Sequence, residues 1–250
     1  MKGERWTREQ TIVALYLFCT IPFNKCQAKH PTITHMANLI GKTPAAMNMK
    51  IGNFGRLDPT LAALGITGLK NGSKLEEIIW KEFDGRFDEL ASVSQQILES
   101  LNAAPVIRTD DLPAGTTREV IVKQRINQDF FRRVVISSYN NRCCITGISI
   151  PELLEACHIS DWASDDKNRT NPHNGLSLTP TLHQAYDKML IAISPDYRVI
   201  VSQKIMDDNK MKDETRRFFT DLNNSTIIMP DRFAPSKDLL DINFQTFLRS

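Results

Sequence analysis

Cys143-Cys144-Ile145-Thr146-Gly147-Ile148-Ser149-Ile150-Pro151-Glu152-Leu153-Leu154-Glu155-Ala156-Cys157-His158-Ile159, resumed by Asn171-Pro172-His173-Asn174-Gly175-Leu176-Ser177-Leu178-Thr179-Pro180-Thr181-Leu182-His183-Gln184-Ala185-Tyr186-Asp187, is the part of the chain in which order and spacing carry most information. His158 lies in a short run of strand character, and Asn174 precedes the alternating Leu176-Ser177-Leu178. Thr179 offers an N-cap, Pro180 takes the first helical position, and His183 falls in the first turn. The pattern predicts strand, strand, helix. Leu182, Ala185, Tyr186, Met189 and Leu190 form the buried stripe of that helix, which leaves His183 and Asp187 together at its edge, facing the strands.

Sixteen positions separate His158 from Asn174, and nine separate Asn174 from His183. With Glu155-Ala156-Cys157-His158-Ile159 as the first strand and Asn171-Pro172-His173-Asn174-Gly175-Leu176 leading into the second, the segment resembles the ββα-metal fold of His-Asn-His (HNH) endonucleases, in particular their restriction-type branch. The likeness is strong over about 125–190 and weaker in the tail. It implies hydrolysis of DNA to 5′-phosphate and 3′-hydroxyl ends, in the service of restricting foreign DNA. It also implies that Asn174 pins the loop that orients the base histidine. Taken alone, Asn174-Gly175 is a common turn dipeptide.

Phosphodiester hydrolysis needs a water relieved of a proton near neutral pH, a task suited to histidine, and His158 is the candidate general base. A divalent metal opposite the base stabilises charge on the phosphate and leaving oxygens, and His183 is its candidate ligand. Asp187 is a second ligand or an orienting partner. Many relatives carry an acidic or histidine ligand immediately before the base, where this chain has Cys157. Adjacent strand residues point to opposite faces, which argues against a Cys157–His158 nucleophile pair. Cys157 could be a soft ligand, but Glu155, on the same face, is the harder partner for magnesium. The expected cofactor is one divalent ion per chain, magnesium first and manganese second, on His183, Asp187 and Glu155. Cys143-Cys144 stands where some relatives carry half a zinc knuckle, but no second C-x-x-C follows, so a buried thiol pair is expected.

Upstream, Thr7 and Gln10 form a capping box for a helix to about Thr20. A second helix runs from Pro31 to Gly41, and a third, with Thr43 as cap and Pro44 first, covers Ala45 to Asn53. The last pair reads as a helix-turn-helix presenting Asn48, Lys50, Asn53 and Arg56 to DNA, with Lys42, Lys50 and Arg56 on phosphates, or else as a plain three-helix bundle. His173 is a further candidate DNA contact, whereas His30 and His35 read as structural. Helices are expected over 73–83, 87–101 and 122–139, the last with Ile126, Phe130, Val134 and Ser137 on one side. The tail reads as a strand at 198–202, a helix at 213–222 and a helix after Asp241, without chemistry.

The resulting expectation is an α+β chain: a helical, helix-turn-helix-like DNA-recognition domain at 1–104, a linker at 105–117, and the ββα-metal nuclease domain with helical and strand extensions at 118–250. Lys and Arg number 31 against 29 Asp and Glu, a net charge of +2 that speaks neither for nor against a nucleic acid partner. Five cysteines without a C-x-x-C pair argue against a disulfide framework. No apolar run is long enough for a membrane, so a cytoplasmic protein is expected. The partner is duplex DNA, cut by a homodimer, since one site cuts one strand. The alternatives are a DNA-binding regulator with a decayed nuclease half, and a toxin-like nuclease acting on RNA or single-stranded DNA.

Overall fold

The computed structural model describes residues 5–66, 72–101, 116–160 and 168–250. The expected linker at 105–117 therefore falls almost wholly outside the described residues. In chain order the elements are α1 (Arg8–Thr20), α2 (Pro31–Leu39), α3 (Pro44–Gly55), α4 (Pro59–Ala63), α5 (Lys74–Phe83), α6 (Phe87–Ser100), α7 (Thr116–Ser138), β1 (Glu155–His158), β2 (Gly175–Leu178), α8 (Pro180–Asp187), β3 (Ile191–Ile193), β4 (Val199–Val201), α9 (Gln203–Met206), α10 (Asp213–Leu222) and α11 (Lys237–Phe247). The architecture is α+β, with a helical part ahead of the small-stranded one.

Local chemistry accounts for most helix starts. The Thr7–Gln10 capping box is formed at α1, Thr43 accepts from the Ala46 N–H at α3, and Ser73 with Glu76 makes a second box at α5. Gly41 turns the chain between α2 and α3 at φ +69°. Several details differ from expectation, among them α7, which begins at Thr116 rather than at 122, and the unexpected β3 and α9. The short α4, capped by Asp58, was not foreseen; α11 begins at Lys237, behind Ser236; and Thr179 starts α8 through its carbonyl alone, with no side-chain cap.

Two hydrophobic clusters share α7. Phe130 and Val134 belong to the cluster built on α1, α3, α5 and α6, whereas Phe131 and Val135 belong to the cluster of β1, β2, α8 and the tail. Both pairs are spaced i, i+4, so one helix presents two apolar stripes to opposite neighbours. Ser137 donates to the Cys19 carbonyl at 2.7 Å, which fixes α7 against the end of α1. From the far end of the chain, Phe233 enters the helical cluster and the buried Arg232 donates to the Phe18 carbonyl and, at 3.4 Å, to Ser137. Among the described residues, no helix is long and apolar enough to cross a membrane.

The α2–α3 pair has the helix-turn-helix connection, but its polar face is covered. Lys50 is buried against Glu76 at 2.6 Å, Asn53 donates to the same carboxylate at 3.0 Å, and Arg56 pairs with Glu77 at 3.0 Å and Glu76 at 3.7 Å. The expectation that Lys50 and Arg56 meet phosphates is corrected accordingly. A buried carboxylate on α5 needs these donors, and it draws them inward. Lys42 lies at the turn, 3.5 Å from the Arg5 carbonyl and over the Trp6 ring.

Candidate active site and metal centre

Strands β1 and β2 pair antiparallel with Glu155 opposite Leu178 and His158 opposite Gly175, and α8 follows directly. This is the strand, strand, helix order read from the spacing. Gly175 serves packing here rather than a turn: an added Cβ would lie 2.2 Å from a Val135 methyl on α7 and 3.1 Å from the Pro172 carbonyl.

The alternation of β1 divides the chemistry between two faces. On one, His158 stacks on Phe131 of α7, with ring centroids 3.8 Å apart and planes 7° from parallel. Its Nε2 lies 2.9 Å from the Arg169 carbonyl. That oxygen only accepts, so Nε2 carries the proton of this contact. Asn174 is buried and makes three bonds to the connecting loop: Oδ1 accepts from the Ser160 N–H at 2.7 Å, while Nδ2 donates to the Ser160 and Asn168 carbonyls at 3.1 Å each. Those contacts hold the chain just after His158 and just before Arg169.

On the other face, Glu155 and Cys157 meet α8. Glu155 accepts from His183 Nδ1 at 2.7 Å, and His183 Nε2 lies 3.5 Å from Asp187. The Cys157 thiol is buried and lies 3.9 Å from Asp187 Oδ1. Burial pushes this thiol well above its usual range, and the neighbouring Asp187 charge acts in the same direction. Cys157, His183 and Asp187 each offer a donor atom within 4.8 Å of the other two, and they are the one such metal-competent group among the described residues. These residues fit a divalent ion. The group shares His183 and Asp187 with the expected set and adds Cys157, while Glu155 is bonded to His183 Nδ1.

His158, Ser160, His183 and Asp187 open onto one cleft of about 590 Å³. Its far wall is α11, through Leu239, Ile242, Asn243 and Thr246, and Asn243 Nδ2 donates to the Ile159 carbonyl at 3.1 Å. The tail therefore takes part in the site, contrary to expectation. Nothing in its amphipathic pattern marks Asn243, because a helix's neighbour is not written in its own periodicity. His158 also borders a second cleft of about 330 Å³ with Gln128, Arg132 and Glu155.

The remaining site candidates are spread out. His173 Nδ1 pairs with the Ala234 carbonyl at 2.7 Å and its ring meets Phe233 edge-on, so it ties the tail to the loop before β2. Cys143 and Cys144 are buried free thiols, with Cys143 Sγ accepting from Thr146 N–H at 3.4 Å.

No curated protein matches the chain. Residues 143–194 match the model of a family described as HNH endonuclease, a span that contains β1, β2, α8 and all of His158, Asn174, His183 and Asp187. The chain thus carries an HNH endonuclease domain, set behind an N-terminal helical region.

Proposed function

We propose that the protein is a metal-dependent DNA endonuclease of the restriction-type branch, acting on duplex DNA in defence against foreign DNA. The observation that carries this reading is the meeting of His158 with His183 and Asp187 at one cleft, approached from opposite faces of a single strand. His158 takes the proton of the attacking water, whose oxygen bonds to phosphorus as the bond to the 3′-oxygen breaks. Phe131 and the Arg169 carbonyl hold the imidazole plane for that transfer. Asn174 keeps the loop in register. A bound divalent ion would stabilise charge on the phosphate and on the departing oxygen, held by His183 and Asp187; magnesium or manganese can supply it in an assay.

Residues 1–104 are assigned to target selection, with Lys42 at the α2–α3 turn and His173 at the junction. A homodimer provides the two sites that a double-strand break needs. The test is incubation of the full chain with a divalent ion and duplex DNA, single-stranded DNA or RNA. Cutting of duplex DNA, abolished by chelator, is the expected result. Cutting confined to RNA or single strands would replace this reading with a toxin-like one, and no cutting of any substrate would favour a decayed nuclease.

A further inference from the structure

The sulfur of Cys157 sits where a magnesium enzyme would be expected to offer oxygen. Three donors of different softness converge there: thiol sulfur, imidazole nitrogen and carboxylate oxygen. A tetrahedral site with metal bonds of about 2.0–2.3 Å has edges of roughly 3.3–3.6 Å between its donors. The three donor atoms lie within 4.8 Å of one another, with His183 Nε2 3.5 Å from Asp187 Oδ2 and Cys157 Sγ 3.9 Å from the other oxygen, Oδ1, so a modest inward movement of the side chains brings them to such edges. Behind His183, the Glu155 carboxylate on Nδ1 fixes the ring and directs Nε2 toward the group, the carboxylate–histidine arrangement that supports metal-bound imidazoles. Three protein ligands leave one position, and His183 and Asp187 both border the cleft into which it would open.

We propose that Cys157 is a metal ligand, and that with His183 and Asp187 it makes the centre select a thiophilic cation of the zinc class over magnesium. The inference rests on reading this cluster as the metal centre of the nuclease. It assigns Glu155 to orienting His183 rather than to the metal. Magnesium takes oxygen donors and gives up its water reluctantly, whereas a thiolate strengthens binding of zinc and cobalt(II). A neutral thiol donating to Asp187 is the competing account of the same geometry.

Cobalt(II) separates the two, because thiolate coordination produces an intense near-ultraviolet charge-transfer band that nitrogen and oxygen ligands do not. The full chain is stripped with chelator and titrated with cobalt(II). The expected result is a thiolate band that saturates at one ion per chain, is displaced by zinc and persists in a large excess of magnesium. Cys157→Ser, checked for folding by circular dichroism, loses the band; Cys157→Ala replaces it should the serine variant not fold. Cobalt binding without the band, a band retained by a folded Cys157 variant, or ready displacement by magnesium would each overturn the proposal. A protein that shows the band and cuts no nucleic acid would refute the nuclease reading alone, and one that cuts with magnesium and shows no band would refute this one alone.

Discussion

Glu155 and His183, twenty-eight positions apart, are joined by a 2.7 Å bond from the imidazole Nδ1 to the carboxylate. The contact links the first strand of the site to its helix and fixes which ring nitrogen faces Asp187. Glu155→Gln keeps the shape but loses the charge-assisted acceptor, so metal affinity should fall by about 10–100-fold with the fold intact. Titrating cleavage with metal, beside a thermal melt, checks this; an unchanged metal midpoint would mean that the bond has no bearing on the metal.

His158→Ala should abolish cleavage without unfolding the protein, because it removes the base while the Cys157 face of the strand is untouched. Phe131→Leu preserves volume in part but removes the stacked plane, and should lower kcat more than it raises KM. Single-turnover assays on duplex DNA decide each point, and wild-type turnover in His158→Ala would remove that residue from the mechanism.

Lys50 and Glu76 are 7% and 0% exposed and 2.6 Å apart. Removing one partner strands the other charge, so Glu76→Gln should destabilise the protein by about 3–5 kcal/mol, while DNA affinity of the folded fraction keeps its salt dependence. Lys42→Ala should do the opposite, with little change in stability and a shallower salt slope. Denaturant melts and binding isotherms at two salt concentrations separate the pair.

Arg232 joins the end of α1, α7 and the tail through Phe18, Ser137 and Asp231. Arg232→Ala leaves buried acceptors unsatisfied and should cost about 3 kcal/mol. Equilibrium unfolding measures it, and a loss under 1 kcal/mol would show that the contacts do not couple the two clusters.

Burial raises the Cys26 thiol from 9.0 to about 11 and the Cys19 thiol to about 12. Between pH 9 and these values the unfolded chain releases protons that the folded chain retains. Stability should therefore fall with rising pH in that window, by up to about 1.4 kcal/mol per pH unit for each thiol. Melts of Cys19→Ala and Cys26→Ala against wild type should show a weaker alkaline decline; an identical decline would assign the effect elsewhere.

The elements with local causes were legible in the sequence. The capping box at Thr7, Pro44 and Pro180 at first helical positions, and the His158–Asn174–His183 spacing depend on neighbours a few residues away, and these elements stand where they were expected. The same spacing carried the family resemblance, over the segment where the HNH endonuclease match lies. Contacts across the fold were not legible. Lys50 read as a surface cation because its partner Glu76 lies on another helix, and Asn243 read as tail because α11's place against β3 and Ile159 is settled by long-range packing. Glu155 and Cys157 share a strand face, so alternation placed both toward α8 without saying which would meet His183. Periodicity determines the face a side chain occupies; the partner found there depends on long-range packing, and only the tertiary structure decides it.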